Sequence, residues 1–423
     1  MCRCDGIGRR ARLKIWSWQQ GTGSTPVTGT TTIGSLEKGA FFIYNYFVMK
    51  NLLLVSDSFK GTLTSEEICE LAKEVVEKYP DISLTAIPIA DGGEGTVEAF
   101  ARATGAELVT VPVTGPFSDT TVEATYAIKG YTAVIEMAST CGLPLVEKLG
   151  REKDPFKSTT YGTGELILDA LEHGCINILL GLGGSSTNDG GCGCAAALDT
   201  RFYDKNGVEF VPVGGTLKNI ARIDTTYTQA AFHEVTLTIM CDVDNPTVGG
   251  SGAAFVFAPQ KGAPADRLFQ LDNGLVNLCN VIEHDLSKKV ADMPGGGAAG
   301  GMGAGCVAFF DGHIVSGIEA ILDAVEFDTL AAEADLIITG EGKLDSQSLG
   351  GKVISGIASR AGETPLVAIV GQNTTTAAEQ SALRLRTVYE TADASRSFAE
   401  IAISAKEDYK KTLIKCIEKE LSL

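Results

Sequence analysis

The chain has 423 residues, 44% of them hydrophobic, which is enough for two or three domains with substantial cores. Its formal net charge of −18 makes nucleic acids and anionic membranes poor partners, and no apolar run is long enough to span a membrane. The 11 scattered cysteines contain no Cys-x2-Cys pair and the four histidines are isolated, so neither a zinc site nor a Ser-His triad is expected.

Residues 1–48 differ in composition from the rest of the chain. They carry six Lys or Arg against two acidic residues, a net charge of +4, which leaves −22 on the remainder. The segment is basic and contains Ser and Thr, as transit peptides do, but it lacks a sustained Arg-rich amphipathic helix. We expect a disordered leader unrelated to the fold, with Met49 as the natural start.

From Met49 onward, short apolar runs alternate with amphipathic segments. The first run, Leu52–Ser56, leads into a helix that begins with the capping box Thr64-x-x-Glu67. Further strands are predicted at 84–89, 108–113, 121–128, 132–137, 176–180, 235–240, 336–339 and 366–370. Helices are predicted after 64, up to about 104, at 163–173, after 194, at 265–290 and from 398. This alternation predicts an α/β fold with largely parallel sheets.

Five of these strands end directly in an acidic, glycine-rich segment. The acidic residues are Asp57, Asp91, Asp189, Asp242 and Glu341. Ligands of open parallel sheets bind at the carboxyl ends of the strands, so we expect these groups to converge on one site. Carboxylates gathered beside a phosphate need a cation, and Mg²⁺ combines carboxylate ligands with phosphate oxygens.

The stretch Gly181–Cys194, GLGGSSTNDGGCGC, follows a predicted strand and precedes a predicted helix. Glycine allows close backbone approach to a phosphate, and the N–H groups at a helix start can bind it. Asp189 adds a carboxylate there, which indicates chemistry on a phosphate. The alternative is a glycine-rich turn that only connects the strand to the helix. From this stretch alone, the two interpretations are equally well supported.

Known nucleotide-binding motifs are missing or incomplete. There is no G-x-x-x-x-G-K-[ST] loop, and the His-Arg-Asp and Asp-Phe-Gly sequences of protein kinases do not occur. Gly295-x-Gly297-x-x-Gly300 matches the dinucleotide fingerprint by letter, but Asp292-Met-Pro294 precedes it instead of a strand. With these classes excluded, the interpretation that remains is a phosphotransferase that binds phosphate through a different loop.

Eight ordered motifs resemble those of the bacterial glycerate kinase family, of the glycerate 2-kinase type. They are 57-DSFKG-61, 88-PIADGGEG-95, 159-TTYGTGEL-166, 183-GGSSTNDGG-191, 241-CDVDNP-246, 259-PQKG-262, 297-GAAGG-301, and 340-GEGKLD-345 with Gly351-Lys352. The resemblance covers Met49 to the end. It implies ATP- and Mg²⁺-dependent phosphorylation of D-glycerate in the cytoplasm, with 2-phosphoglycerate as the favoured product.

The resemblance also implies two α/β domains that face each other across a cleft. The first would be a Rossmann-like domain formed by 49–114 and 301–423, and 115–300 would be inserted into it. Oligomeric state is not indicated. A kinase for another small hydroxy acid, or one that makes 3-phosphoglycerate, is the alternative function. A non-enzymatic glycerate-binding regulator is a remote one, because no output module is present.

Each candidate site residue has a structural alternative. Asp189 is expected to face the glycerate hydroxyl as a base, or else to cap the following helix. Lys60 would balance charge on the transferred group. Asp242, Glu341 and Asp345 are the candidate metal ligands, or else turn formers. The predicted substrate and phosphate contacts are Asp91, Glu94, Gly183, Gly184, Ser185, Ser186, Asn188 and Lys343. The substrate carboxylate is expected to meet a basic side chain, and the sequence does not choose among Lys60, Lys261 and Lys352.

Overall fold

The computed structural model describes residues 31–36, 40–45, 49–89, 95–349, 353–393 and 395–422. The strands of this part of the chain are β1 Thr31–Leu36, β2 Ala40–Asn45, β3 Lys50–Ser56, β4 Ile82–Pro88, β5 Glu107–Thr114, β6 Thr121–Lys129, β7 Thr132–Glu136, β8 Asn177–Gly181, β9 Arg201–Tyr203, β10 Arg222–Asp224, β11 Thr236–Met240, β12 His313–Val315, β13 Leu336–Leu344, β14 Leu366–Asn373 and β15 Leu385–Glu390.

The α-helices of the same residues are α1 Ser65–Val76, α2 Thr96–Thr104, α3 Ala138–Cys141, α4 Leu143–Lys148, α5 Tyr161–Glu172, α6 Cys192–Ala197, α7 Thr226–Ala231, α8 Ala253–Phe257, α9 Leu268–Leu286, α10 Ala298–Phe310, α11 Gly317–Ala324, α12 Phe327–Glu333, α13 Val353–Arg360, α14 Ala377–Ala382 and α15 Phe398–Glu420. Short 3₁₀ helices occupy Leu217–Asn219, Pro259–Lys261, Ala265–Arg267 and Ser346–Leu349. No helix of the described chain combines the length and apolarity needed to cross a membrane.

The first sheet has five parallel strands in the order β15-β14-β13-β3-β4. Strand β3, which lies between β13 and β4, is buried on both faces from Leu52 to Val55, as parallel sheets covered by helices require. Strand order reverses between β3 and β13, and the Asp57 N–H donates to the Gly340 carbonyl there at 2.9 Å. This switch point is where ligands of open α/β sheets bind.

The second sheet has six strands in the order β12-β11-β8-β7-β6-β5. Strands β7, β8, β11 and β12 are parallel, whereas β5 and β6 add an antiparallel edge. The prediction of a mixed α/β fold with mostly parallel sheets is therefore confirmed. The antiparallel hairpin at the edge follows from the short Gly130 turn between β6 and β7, which leaves no room for a crossover helix.

The two sheets share a hydrophobic cluster. It contains Leu53 and Ile337 from the first sheet and Val134 and Leu179 from the second, together with buried side chains of α2, α11 and α13. A separate cluster joins α1 and α15 to the other face of the first sheet. The remaining cluster surrounds α5, α9 and α10 on the second sheet. The shared cluster brings the strand ends of both sheets near one another.

Two observed features concern the leader and the inserted segment, whose expected limits stay predictions. Within the segment expected to be disordered, β1 and β2 pair as an antiparallel hairpin. The second sheet takes in β5 before residue 115 and β12 after residue 300, so it extends on both sides of the expected insertion. The division of the chain into a Rossmann-like domain and an inserted domain stays a prediction.

Candidate active site

A cavity of about 860 Å³ lies at the switch point of the first sheet, opposite the carboxyl end of β11. The loops after β3, β13, β14 and β15 form one side, and the start of α15 closes it with Phe398 and Ile401. The other side comes from the segment after β11 and from Ile314 to Ser316 at the end of β12. The larger cavity is thus built from strand exits of both sheets.

The larger cavity has a strongly charged lining. Its acidic side chains are Asp57, Asp242, Asp244, Glu341, Asp345 and Asp408, and its basic ones are Lys60, Lys343 and Arg396. Five of the acids lie at or just after the ends of β3, β11 and β13, where the sequence predicts convergence. This lining has three more negative than positive charges, so a bound polyphosphate requires a cation between itself and the carboxylates.

The end of β13 and the segment after it hold their acidic groups in a fixed arrangement. Glu341 is buried, and its carboxylate accepts a hydrogen bond from the Ser348 hydroxyl. The same hydroxyl accepts a bond from the Asp345 N–H at 3.2 Å. Lys343 forms an ion pair with Asp345, with 3.3 Å between Nζ and Oδ2. Ser348, in the 3₁₀ helix Ser346–Leu349, therefore positions both candidate metal ligands of this segment.

Asp242, the second residue after β11, lies at the start of α11. Its Oδ1 accepts hydrogen bonds from the Ser316 hydroxyl at 3.1 Å and from the Gly317 N–H at 3.0 Å. The partial positive charge of a helix N-terminus favours a carboxylate there. Asp242 lines the larger cavity and also a second, smaller one. It is therefore the acidic residue at the junction of the two.

The smaller cavity, of about 260 Å³, lies at the carboxyl ends of β8 and β11. Gly183, Gly184 and Ser185 of the glycine-rich turn form one wall, and Gln260 and Lys261 form another. Apolar contacts come from Leu143, Leu182 and Phe257. Its lining contains one acidic residue, Asp242, and one basic residue, Lys261.

Asp189 lies inside the glycine-rich turn and is fully buried. Its Oδ2 accepts bonds from Thr160 N–H at 2.8 Å, Thr160 Oγ1 at 2.9 Å and Gly193 N–H at 3.3 Å, and Oδ1 accepts one from Gly191 N–H at 3.2 Å. Burial raises the pKa of this carboxyl, and the donated bonds oppose that rise. The side chain lines neither cavity.

This geometry differs from the predicted phosphate cradle. The N–H groups of Gly191 and Gly193 at the start of α6 bind Asp189 and are not presented to a ligand. A Cβ at Gly193 would lie 2.3 Å from Thr159 Oγ1 and 2.9 Å from Asp189 Oδ2, so glycine is required there for packing. The sequence showed the glycines but not that the carboxylate folds back onto its own turn.

Comparisons with known proteins agree with the motifs. The sequence profile of the glycerate kinase family matches residues 52–419. The chain belongs to the glycerate kinase family. A glycerate kinase of Halalkalibacterium halodurans is 44% identical over 328 residues, which cover 76% of this chain and 86% of the relative. The glycerate 2-kinase of Escherichia coli K12 is 42% identical, with 76% and 85% coverage.

A solved structure extends this comparison to the fold. A crystal structure described as a candidate glycerate kinase 2 from Salmonella typhimurium LT2 superposes with a TM-score of 0.77 and 37% identity. It covers 89% of this chain and 100% of its own. The resemblance inferred from the eight motifs is confirmed, and so are the enzyme class, a phosphotransferase, and the α/β fold.

The other predicted contacts have varied positions in this glycerate kinase family member. Lys60 and Lys343 are exposed and line the larger cavity. Ser186 is buried and donates through its hydroxyl to the Cys141 carbonyl at 2.8 Å. Asn188 is fully buried, lines neither cavity, and its amide has no hydrogen-bond partner. Asp91, Glu94 and Lys352 lie outside the described residues.

The candidate metal ligands do not form a preassembled metal cluster. Across the described ranges, no three His, Cys, Asp or Glu side chains lie close enough to hold a metal ion by themselves. Asp242, Glu341 and Asp345 nevertheless line one cavity. Mg²⁺ commonly uses one or two carboxylates together with waters and substrate phosphates, so this donor set fits it.

Glu136 is a residue that the sequence did not place in the site region. It ends β7, is buried, and accepts bonds from Val97 N–H at 2.7 Å and Gly95 N–H at 3.3 Å. Burial raises its pKa to about 7, although these N–H groups lower it. Glu136, in the second sheet, thus binds the N–H groups at the start of α2. This helix follows β4 of the first sheet. The feature of the sequence that could have identified Glu136 is its position at the end of a predicted strand.

Proposed function

We propose that this protein transfers the γ-phosphoryl group of ATP to the 2-hydroxyl of D-glycerate and releases ADP and 2-phosphoglycerate in the cytoplasm. Membership of the glycerate kinase family supports the reaction class. The name of the E. coli relative, glycerate 2-kinase, supports the position of transfer. The observation that carries the proposal is the pair of adjoining cavities that meet at Asp242.

The larger cavity suits the nucleotide. Its volume of about 860 Å³ lies within the range of cofactor and ligand sites. Phe398 and Ile401 offer apolar surface for the adenine ring, whereas Lys60 and Lys343 offer positive charge for the phosphates. Asp242, Glu341 and Asp345 would hold Mg²⁺, which supplies charge neutralisation of the phosphate oxygens when bound.

The smaller cavity suits glycerate. Its volume of about 260 Å³ is too small for a nucleoside triphosphate but sufficient for a three-carbon acid. Gly183 and Gly184 bring the backbone to its wall without side chains, and Ser185 adds a hydroxyl. The acceptor would then reach the phosphoryl group at the junction of the cavities, beside Asp242.

The reaction forms a bond between glycerate O2 and the γ-phosphorus and breaks the bond from that phosphorus to the β,γ-bridging oxygen. ADP leaves, and the proton of the glycerate 2-hydroxyl passes to solvent water. Phosphoryl transfer depends mainly on positioning and charge neutralisation. We assign positioning of the glycine-rich turn to Asp189, because its carboxylate accepts hydrogen bonds from Thr160 and from that turn. Lys60 stabilises charge on the transferred group.

The proposal is tested by phosphorus NMR of the product formed from D-glycerate and ATP, together with a coupled ADP assay across small hydroxy acids. We expect 2-phosphoglycerate, and the highest kcat/KM with D-glycerate. A product resonance of 3-phosphoglycerate would overturn the position of transfer. Higher kcat/KM for another hydroxy acid would overturn the substrate, and absence of ADP release with every acid would overturn the kinase function.

A further inference from the structure

Lys261 is a buried cation at the wall of the smaller cavity. It ends the 3₁₀ helix Pro259–Lys261 and is 2% exposed. Its Nζ donates to Ser185 Oγ at 2.8 Å and to the Thr187 carbonyl at 2.7 Å. Both acceptors are neutral and both belong to the glycine-rich turn. An ammonium group has three N–H donors, so these two contacts account for two of them.

The ammonium has no ion-pair partner among the described residues. Asp189 and Cys141 are the titratable groups whose charge acts on it, and Asp189 already accepts bonds from Thr160, Gly191 and Gly193. A buried charge that lacks a counter-ion is costly to the fold. Burial accordingly lowers the pKa of Lys261 to about 8.

The rest of the smaller cavity wall is mostly apolar or glycine, so an anion that enters finds one positive group. We propose that the Lys261 ammonium binds the carboxylate of the acceptor substrate and thereby selects small hydroxy acids over their neutral analogues. This rests on the glycerate kinase activity proposed above. Lys60 and Lys343 belong to the larger cavity and remain with the phosphates.

A purely structural role has to be separated from this one, because Lys261 also ties the glycine-rich turn to the segment after α8. The two roles differ in their dependence on substrate charge. A carboxylate contact affects the acid and spares the amide of the same acid. If Lys261 only stabilises the structure, its loss lowers kcat/KM for the acid and the amide equally, and it also changes the KM for ATP.

The test compares D-glycerate with D-glyceramide in the wild type and in Lys261→Met, which is unbranched, one atom shorter and uncharged. We expect kcat/KM for D-glycerate to fall roughly thirtyfold or more, as for the loss of one partner of a buried charge pair. The value for D-glyceramide should change less than about threefold, and so should the KM for ATP. Lys153→Met, at a partly exposed ion pair with Glu147 outside both cavity linings, is the matched control and should change neither.

Equal losses for the acid and the amide in Lys261→Met would overturn the proposal. If that variant does not fold, the wild type decides by its pH profile. Its preference for D-glycerate over D-glyceramide in kcat/KM should fall about tenfold per pH unit above about 8, as Lys261 loses its proton. Cys141, Asp189 and Asp242 are the other titratable groups near this cavity, and comparing two substrates of one enzyme removes effects common to both.

A preference that stays constant from pH 7 to pH 9.5 would overturn the proposal. A wild type that phosphorylates neither compound would instead overturn the kinase function, so the two failures are distinct.

Discussion

The two cavities meet at Asp242 but have different electrostatic designs. The larger is lined by six acidic and three basic side chains, most of them on strand exits and in contact with solvent. The smaller has one of each, and its cation is buried. Both are proposed to bind anions. As a nucleotide site, the larger one would therefore need a metal ion to reverse its charge, whereas the smaller one has a compensating positive charge in Lys261.

This difference indicates how one chain with a net charge of −18 binds two anionic substrates. A metal ion can be supplied together with a nucleotide, so an acidic cavity stays selective for the metal–nucleotide complex. A small acid brings no metal, and its cavity needs a fixed ammonium. Three changes test this division and a fourth tests a buried carboxyl outside both cavities; they are given in order of decreasing effect.

The largest effect is expected at the junction. Asp242→Ala removes the carboxylate that both cavities share, and we expect kcat to fall about 10²–10³-fold, as for the loss of a group that stabilises transition-state charge. The Mg²⁺ concentration for half activity should rise. Asp244→Ala is the control, since Asp244 lines the larger cavity alone. A loss below tenfold with an unchanged metal titration would remove Asp242 from the site.

The second change tests the cations of the larger cavity. Lys60→Met should lower kcat about 10²-fold, because Lys60 forms no ion pair in the described structure and is available for the phosphoryl group. Lys343→Met should have a smaller effect, because Lys343 already pairs with Asp345. Steady-state kinetics with ATP varied checks both. Equal losses in the two variants would contradict separate roles.

The third change tests whether Asp189 belongs to a cavity at all. Asp189→Asn places an NH₂ group where an oxygen now accepts from backbone N–H groups, so the free energy of unfolding should fall by about 2–3 kcal/mol. Urea denaturation measures this change. Among molecules that remain folded, kcat should stay within tenfold. Unchanged stability with a 10²–10⁴-fold loss of kcat would restore the base role.

The fourth change concerns Glu136, a buried carboxyl outside both cavity linings. Its pKa is about 7 in the folded protein and near 4.5 when unfolded. The folded state therefore binds more protons between these values, and stability should decline as pH rises from about 4.5 to 7. Relative to Glu136→Gln, whose stability lacks this slope, the decline should be on the order of 1–3 kcal/mol. Parallel curves for the two proteins would exclude a buried, protonated Glu136.

The sequence predicts the repeating elements well because their signals are local. The capping box at Thr64 and Glu67 is present as expected, and so are the strand exits that carry Asp57, Asp242 and Glu341. The direction of a side chain inside a loop is not determined by its neighbours in the sequence. Asp189 has the same pattern as the other exit carboxylates, but backbone donors from Thr160, 29 residues earlier, turn it inward.

Burial of a charged side chain is another property that spacing does not reveal. Lys261 lies in a short polar motif that resembles an exposed turn, and the sequence ranks it equally with Lys60 and Lys352. Packing of α8 and the glycine-rich turn decides that it is buried. Edge strands such as β12 and β15 are short or weakly apolar, and their neighbours in the sheets stabilise them more than their own sequence does.

The order of strands in the two sheets also has a consequence for synthesis of the chain. The second sheet uses only residues between 107 and 315, so all its strands exist before β13 is made. In the first sheet, Leu52 of β3 pairs with Leu336 of β13, 284 residues later. During synthesis on the ribosome, β3 and β4 therefore exist before β13, and the edge of the apolar strand β3 that later pairs with β13 is unpaired. An unpaired strand edge of this kind exposes the nascent chain to aggregation.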